Sequence, residues 1–147
     1  MTILLFLELE IKPILIIMSV LEIPAKEAAP YVRFDEGNGE LEIKGKSYDE
    51  DVVMLFSMIR SKIKAFGQTS PEKLDVHIFL KYFNTSSSKC LFDLLSDIKD
   101  LENIEGFSLN MRWNFVVGDE EMEEEIGDFK ETLEMEFDIE GVEDDLS

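Results

Sequence analysis

One stretch of this chain, from residue 74 to residue 101, leaves little choice of local structure. Between residues 74 and 83, apolar side chains alternate with a second set that is mostly polar, and a period of two is typical of a β-strand. From Leu91 to Leu101 the apolar residues recur at helical spacing, which predicts an amphipathic helix. A strand therefore leaves a sheet and enters a helix through a short polar turn.

Hydroxyl groups crowd that turn, where Thr85, Ser86, Ser87 and Ser88 follow Asn84. The N-terminus of a helix carries unpaired N–H groups and the positive end of the helix dipole, so it favours anions. A phosphate on one of these hydroxyls would therefore meet hydrogen-bond donors. The alternative is that these residues only cap the helix, because Ser, Thr and Asn are preferred caps. The residue types alone leave both interpretations open.

The flanking segments predict further strands and helices. The Asn-Gly pair at 38–39 tolerates the positive φ of a tight hairpin turn, and Ser47 is a candidate cap for the helix that follows the hairpin. Residues 19–30 indicate an extended lead-in. The predicted elements are strands 31–35 and 40–44, a helix from 49 or 50 to 66, strand 74–83, a helix reaching 101, strand 107–115, helix 118–133 and a short strand 134–139.

This order of elements predicts a two-layer α/β sandwich. Right-handed crossovers make the later strands a mostly parallel set, and the N-terminal β-hairpin adds an antiparallel edge to the mixed sheet. The alternation within the strands indicates that one face of the sheet is better covered than the other. The architecture is broadly similar to the STAS domain of anti-sigma-factor antagonists, in which a phosphorylatable hydroxyl also begins a helix after a strand. That likeness is an analogy of fold and does not determine function.

The two ends of the chain differ from its middle. Residues 1–18 contain apolar stretches that charged residues and Pro13 interrupt, so no span is long enough to cross a bilayer and no signal peptide is recognisable. We interpret them as a non-native or disordered extension upstream of a true start at Met18; a membrane-touching segment is the alternative. The domain is then expected to occupy residues 19–140, with 141–147 as an acidic tail.

The chain is strongly acidic, with a net charge of −19. Residues 118–147 hold 15 Asp and Glu residues against the single Lys130. This balance disfavours nucleic acid and anionic membranes as partners, since no basic patch is available to offset their charge. The acidic run 120–125 is either a docking face for a basic protein or a solvated helix face, and its spacing does not match a calcium-binding loop.

No catalytic constellation stands out in the sequence. His77 is the only histidine, on the polar side of its strand, and Cys90 is the only cysteine. A single cysteine excludes an internal disulfide and fits a cytoplasmic protein, and Cys90 is expected to be packed within its helix. Nucleophile-elbow, phosphate-loop and dinucleotide signatures are missing. We therefore expect a protein with no enzyme activity and no cofactor.

Two aromatic residues of the central strand depart from its polar side. Phe79 and Phe83 alternate with the apolar set, so they share a face with Asp75 and His77. If they are exposed, they are candidates for contact with a partner. The alternative is that a helix or the N-terminal extension buries them.

The polar turn also carries a family resemblance. The run Tyr82-Phe83-Asn84-Thr85-Ser86-Ser87-Ser88-Lys89, followed by a Leu-rich helix, resembles the signature of the SiaC family of bacterial regulatory phosphoproteins. Weaker blocks agree with it in order, at 32–35, 38–43, 45–48 and around Trp113. The likeness covers about residues 18 to 139. The family usually has proline where this chain has Asp49, a residue that is also acceptable early in a helix.

This resemblance implies a partner-switching protein. In such proteins a SiaB-type kinase phosphorylates the threonine of the Asn-Thr-Ser-Ser block, and a SiaA-type phosphatase reverses the modification. The unphosphorylated form binds and activates a SiaD-type diguanylate cyclase, which raises cyclic di-GMP and promotes aggregation and biofilm growth. By position, the acceptor here is Thr85, and the residues that shape its site are Asn84, Ser86, Ser87, Ser88 and Lys89. The alternative is a plain interaction module without phosphorylation, whose hydroxyls cap a helix.

Overall fold

Six β-strands form one sheet in which the order in space is the order in the chain. The computed structural model describes residues 20–144. The strands are β1 (Val20–Ile23), β2 (Tyr31–Asp35), β3 (Glu40–Ser47), β4 (Lys73–Phe83), β5 (Ser108–Val116) and β6 (Asp138–Val142). The first three pair antiparallel, and β3 to β6 pair parallel. The parallel strands are connected by helices α1 (Val52–Gly67), α2 (Thr85–Asp100) and α3 (Glu120–Leu133), and a short 3₁₀ helix (Leu101–Asn103) follows α2.

The three helices cover one face of this sheet. Because neighbouring parallel strands follow one another in the chain, right-handed crossovers put every helix on the same side. A continuous hydrophobic core fills the space between, and its largest fully buried members include Trp113, Phe34 and Phe56. The predicted α/β fold, with a mostly parallel sheet and one better-covered face, is confirmed. The likeness to a STAS domain is not confirmed.

The opposite face, which no helix within residues 20–144 covers, carries five charged residues and His77 in register across the six strands. This row consists, in strand order, of Glu22, Arg33, Glu42, His77, Arg112 and Asp138. Opposite charges alternate along most of the row, and such cross-strand neighbours stabilise a sheet. His77 Nε2 lies 2.6 Å from Asn114 Oδ1. The histidine is therefore a half-buried, hydrogen-bonded residue of the sheet surface.

The turn between β2 and β3 is held by Asp35. Its carboxylate accepts the backbone N–H of Asn38 at 3.0 Å and the side-chain amide of Asn38 at 2.8 Å. Burial alone would raise the pKa of this carboxyl, but the two bonds from Asn38 and the nearby Arg33 lower it overall. Gly39 has φ +68° and a Cβ there would lie 2.5 Å from the Lys73 carbonyl oxygen, so only glycine fits. The predicted hairpin is confirmed.

Both edges of the sheet differ from the prediction. Residues 20–23, expected to be part of an extended lead-in, form β1 because they pair with β2, for example Glu22 with Arg33. The last strand lies at 138–142 and not at 134–139, because its partners on β5 are Phe115 for Gly141 and Val116 for Val142. Gly141 and Val142 thus belong to the sheet and not to an acidic tail.

The first helix begins later than the sequence indicated. α1 starts at Val52, so the carboxylates of Asp49, Glu50 and Asp51 precede it and do not occupy its first turn. Ser47 does not cap this helix, because it ends β3 as a fully buried residue. The residue at the cap position is Asp51, whose side chain makes no capping hydrogen bond.

The proposed extension at 1–18 and the final residues 145–147 lie outside the described part of the chain. Within residues 20–144, no helix is both long and apolar enough to span a membrane.

Candidate functional site

A shift of register at the end of β4 decides which aromatic side chains reach the surface. Gly45 pairs with Leu80 and Lys46 with Tyr82, so β4 has one extra residue at this point. Such a β-bulge reverses the faces of the residues that follow it. Tyr82 is consequently 51% exposed, whereas its neighbour Phe83 is 5% exposed.

Phe79 and Phe83, which would be contact candidates if exposed, are both buried, so the alternative stated for them holds. Phe83 turns into the core, where its ring centroid lies 6.3 Å from that of Trp113 and 6.1 Å from that of Phe129. Phe79 stays on the uncovered face of the sheet but is only 5% exposed. Tyr82 is exposed here instead. A strand without the bulge would place Tyr82 on the buried face together with Leu80.

Asn84 connects the end of β4 to α2. Its side-chain oxygen accepts the N–H of Ser87 at 2.9 Å, and its carbonyl accepts the N–H of Ser88 at 2.8 Å. Its own N–H donates to the carbonyl of Ser47 at 3.1 Å. The helix is thus capped by an amide, not by a hydroxyl. The capping interpretation of the Thr and Ser hydroxyls consequently loses its main argument.

Thr85 is the first residue of α2, and both it and Ser86 are exposed. The first N–H groups of a helix have no partner within the helix, and the helix dipole is positive at this end. The first turn contains no acidic residue that would already compensate this charge. Lys89 lies one turn further along, exposed, with its Nζ 3.3 Å from Asp93. An anion attached at Thr85 would therefore meet favourable electrostatics.

Ser87 and Ser88 differ from the two exposed hydroxyl residues. Ser87 is fully buried, and its Oγ lies 2.7 Å from both the carbonyl and the hydroxyl oxygen of Ser47. A kinase cannot reach this hydroxyl while the domain is folded. Ser88 is half-buried and lines a shallow depression with Phe92 and Phe129. Among the four predicted hydroxyls, Thr85 and Ser86 are thus the accessible ones.

Tyr48 lies at this site, although it is not one of the site residues predicted from the polar turn. Its carbonyl oxygen lies 3.5 Å from the side-chain nitrogen of Asn84. Its ring meets the ring of Tyr82 edge-on, with centroids 5.8 Å apart. Both rings are partly exposed, at 36% for Tyr48 and 51% for Tyr82. Tyr48 is part of the family block 45–48, which could have drawn attention to it. The residues around Tyr48 did not predict that the end of β3 lies beside the end of β4.

Cys90 is packed in α2, as expected for a structural cysteine. Burial, together with the nearby carboxylate of Asp93, raises the pKa of the Cys90 thiol. A reactive cysteine needs the opposite, a lowered pKa and access to solvent. This residue therefore does not have the properties of a nucleophile.

The acidic run lies on the exposed side of α3. The buried residues of α3 are Met122, Ile126, Phe129 and Leu133, and the carboxylates of the acidic run face away from the core. Partial desolvation and the neighbouring Asp128, Glu121 and Asp119 raise the pKa of Glu125. Across residues 20–144, no group of three or more potential ligands is arranged to hold a metal ion. The solvated-face interpretation of this helix is sufficient to account for its pattern.

Comparison with known proteins identifies the family. The model of the SiaC family, described as regulatory phosphoproteins, matches residues 23–142, which include both the polar turn at the start of α2 and the hairpin blocks. The chain belongs to the SiaC family. The resemblance read from residues 82–89 is thereby confirmed.

Similar proteins come from Pseudomonas aeruginosa. An uncharacterised protein of strain UCBPP-PA14 is 30% identical to this SiaC-family chain. The alignment covers 83% of this chain and 96% of the relative. The crystal structure of apo-SiaC matches with a TM-score of 0.75 and 27% identity, over 84% of this chain and 100% of that one. A structure of the diguanylate cyclase SiaD in complex with its activator SiaC matches with a TM-score of 0.76 and 26% identity, over 83% and 99% of the chains.

Proposed function

We propose that this SiaC-family chain is a signalling switch without enzyme activity of its own. A SiaB-type kinase phosphorylates Thr85, and a SiaA-type phosphatase removes the phosphate. The unphosphorylated form binds and activates a downstream protein of the diguanylate cyclase type, and so controls cyclic di-GMP in the cytoplasm and the aggregation that depends on it. The observation that carries the proposal is the position of Thr85, exposed as the first residue of α2 beside a cap made by Asn84.

The chemistry of this position suits reversible phosphorylation. A phosphate adds about −1.5 to −2 charges at neutral pH and three strong acceptor oxygens. The helix N-terminus, and Lys89 one turn later, compensate part of that charge. The cap formed by Asn84 is made by a different side chain, so it does not need to break. We therefore expect the local fold to survive the modification.

The charge of the phosphate also changes how a protein partner binds this surface. A protein surface that fits a neutral threonine would have to desolvate the phosphate without a counter-charge. Binding would then be lost through repulsion and desolvation while the domain stays folded. The support for a cyclase as this partner is that SiaD was solved in complex with SiaC, the activator to which this chain is similar.

The proposal is tested on protein purified from its own host, with and without phosphatase treatment. Intact mass followed by peptide mapping is expected to locate a phosphatase-sensitive phosphate on Thr85. Thr85→Ala removes the acceptor, and Ser86→Ala is the matched control, because it removes the other accessible hydroxyl one residue away. Full phosphorylation of Thr85→Ala by the SiaB-type kinase would refute the site. An absence of phosphate under all growth conditions would favour the plain interaction module.

A further inference from the structure

Two buried hydroxyls join the end of β3 to the first turn of α2. Ser87 Oγ lies 2.7 Å from the carbonyl oxygen of Ser47 and 2.7 Å from its hydroxyl oxygen. Because a carbonyl only accepts, the one proton of the Ser87 hydroxyl goes to that carbonyl. The proton between the two hydroxyls then comes from Ser47. Both side chains are fully buried, so no water competes for these bonds.

This pair of hydroxyls is not needed to cap the helix or to pair the strands. The first turn of α2 is capped by Asn84, and β3 is paired with β4 through Ser47 and Phe83. The carbonyl of Ser47 also receives the N–H of Asn84 at 3.1 Å. What the hydroxyls add is a fixed position of the segment that follows Ser47 relative to the start of α2.

The residue that follows Ser47 is Tyr48, whose ring lies against Tyr82. Thr85 follows the same strand end that carries Tyr82, separated from it by Phe83 and the capping Asn84. The ring of Tyr48 comes from one segment, and Tyr82 and Thr85 come from another. The hydroxyl pair is a direct side-chain connection between these two segments.

We propose that the Ser47–Ser87 hydroxyl pair positions the two tyrosine rings relative to the start of α2, and that the SiaD-type cyclase contacts the rings and the unmodified threonine together. This inference rests on the proposed function and adds to it the residues through which the state of Thr85 is recognised. Tyrosine rings suit that role, because they give a large apolar contact together with a polar end, and they are enriched at protein interfaces. Ser47 and Ser87 are positioning residues, since a partner cannot touch them.

The decisive comparison uses the variants Ser47→Ala, Ser87→Ala and the double variant, with Ser61→Ala, an exposed serine of α1, as the control. Ser87→Ala removes the partner of the buried Ser47 hydroxyl and is expected to unfold at lower urea concentration, whereas in Ser47→Ala the Ser87 hydroxyl keeps its bond to the backbone carbonyl of residue 47. The double variant removes both hydroxyls and is expected to recover most of that loss. If the pair only contributes stability, affinity for the SiaD-type cyclase of the same organism should recover too. If it positions the rings, the affinity of the folded double variant should stay about tenfold weaker than that of the wild type.

A second measurement keeps the proposal testable if the serine variants do not fold. Tyr48→Ala and Tyr82→Ala change exposed residues, so both are expected to fold. Each should weaken cyclase binding about tenfold, while phosphorylation of Thr85 by the SiaB-type kinase changes little because Thr85 is intact. Wild-type affinity for the cyclase in both tyrosine variants would overturn the proposal. A wild-type protein that binds no cyclase and accepts no phosphate would refute the switch itself, which separates the two failures.

Discussion

The ring of Tyr82 rests edge-on against the ring of Tyr48, at an interplanar angle of 63°. The contact exists because one extra residue in β4 turns Tyr82 out of the core. The same residue shift turns the next side chain, Phe83, inward onto Trp113. Two adjacent aromatic residues therefore have opposite environments, and substitutions at them should have opposite consequences.

Phe83→Ala should destabilise the domain by about 3–5 kcal/mol, because it leaves a cavity in the core beside Trp113 and Phe129. Tyr82→Ala, the matched control one residue earlier, should change the free energy of unfolding by only about 0.5 kcal/mol, as expected for an exposed site. Urea denaturation followed by Trp113 fluorescence measures both. Equal losses in the two variants would contradict the assigned register shift.

Asn84→Ala should lower stability by about 1 kcal/mol, since it removes the cap of α2. Asp119→Ala is the matched control, because the Asp119 side chain caps α3 by accepting the N–H of Met122 at 3.1 Å. The two variants should lose similar stability in thermal unfolding. Only Asn84→Ala is expected to slow phosphorylation of Thr85, because only its cap borders that residue. A similar slowing by Asp119→Ala would show that general destabilisation is the cause.

Thr85→Asp should leave the fold intact and abolish partner binding. A carboxylate at this end of α2 is stabilised by the helix dipole, by about 0.3–1 kcal/mol. The same charge should weaken binding to the SiaD-type cyclase, as measured by titration calorimetry. Thr85→Asn has nearly the same shape as the Asp variant without its charge, and it should retain affinity close to that of the wild type. Equal affinities of the Asp and Asn variants would argue against charge as the signal.

Asp35 should contribute to acid unfolding. Its pKa in the folded state lies below the unfolded value of about 4. The folded state therefore binds fewer protons, so this contribution is complete above that unfolded value and is lost as pH falls through the folded-state pKa. Asp35→Asn should flatten the decline in stability below about pH 4 in urea titrations. Glu36→Gln, which removes a carboxyl from the same turn, controls for the change in charge. An unchanged acid slope in Asp35→Asn would contradict the prediction.

Much of the fold was predictable because periodicity and turn chemistry are local. The hairpin at Gly39, the helix that follows Asn84 and the parallel set of strands all agree with the structure. The strand at 20–23 was missed because its pairing with β2, and not its composition, makes it a strand. The late start of α1 was missed because acidic residues are equally acceptable just before a helix and in its first turn.

The candidate site was predictable in its chemistry but not in its geometry. The run of hydroxyls marked the turn and the family resemblance implied Thr85 as the acceptor, yet nothing in the residue types distinguished the buried Ser87 from the exposed Ser86. That difference depends on Ser47, 40 residues earlier in the chain. The exposure of Tyr82 likewise depends on a register shift between two strands, which no single-strand pattern contains.

The strand order has a consequence for how the protein is made. Since each strand pairs with the strand that precedes it in the chain, no later segment has to insert between two strands already formed. A domain with this connectivity can add one strand at a time to a growing edge as it leaves the ribosome. The polar turn at the start of α2 would then be assembled from its two segments before the acidic helix α3 has emerged.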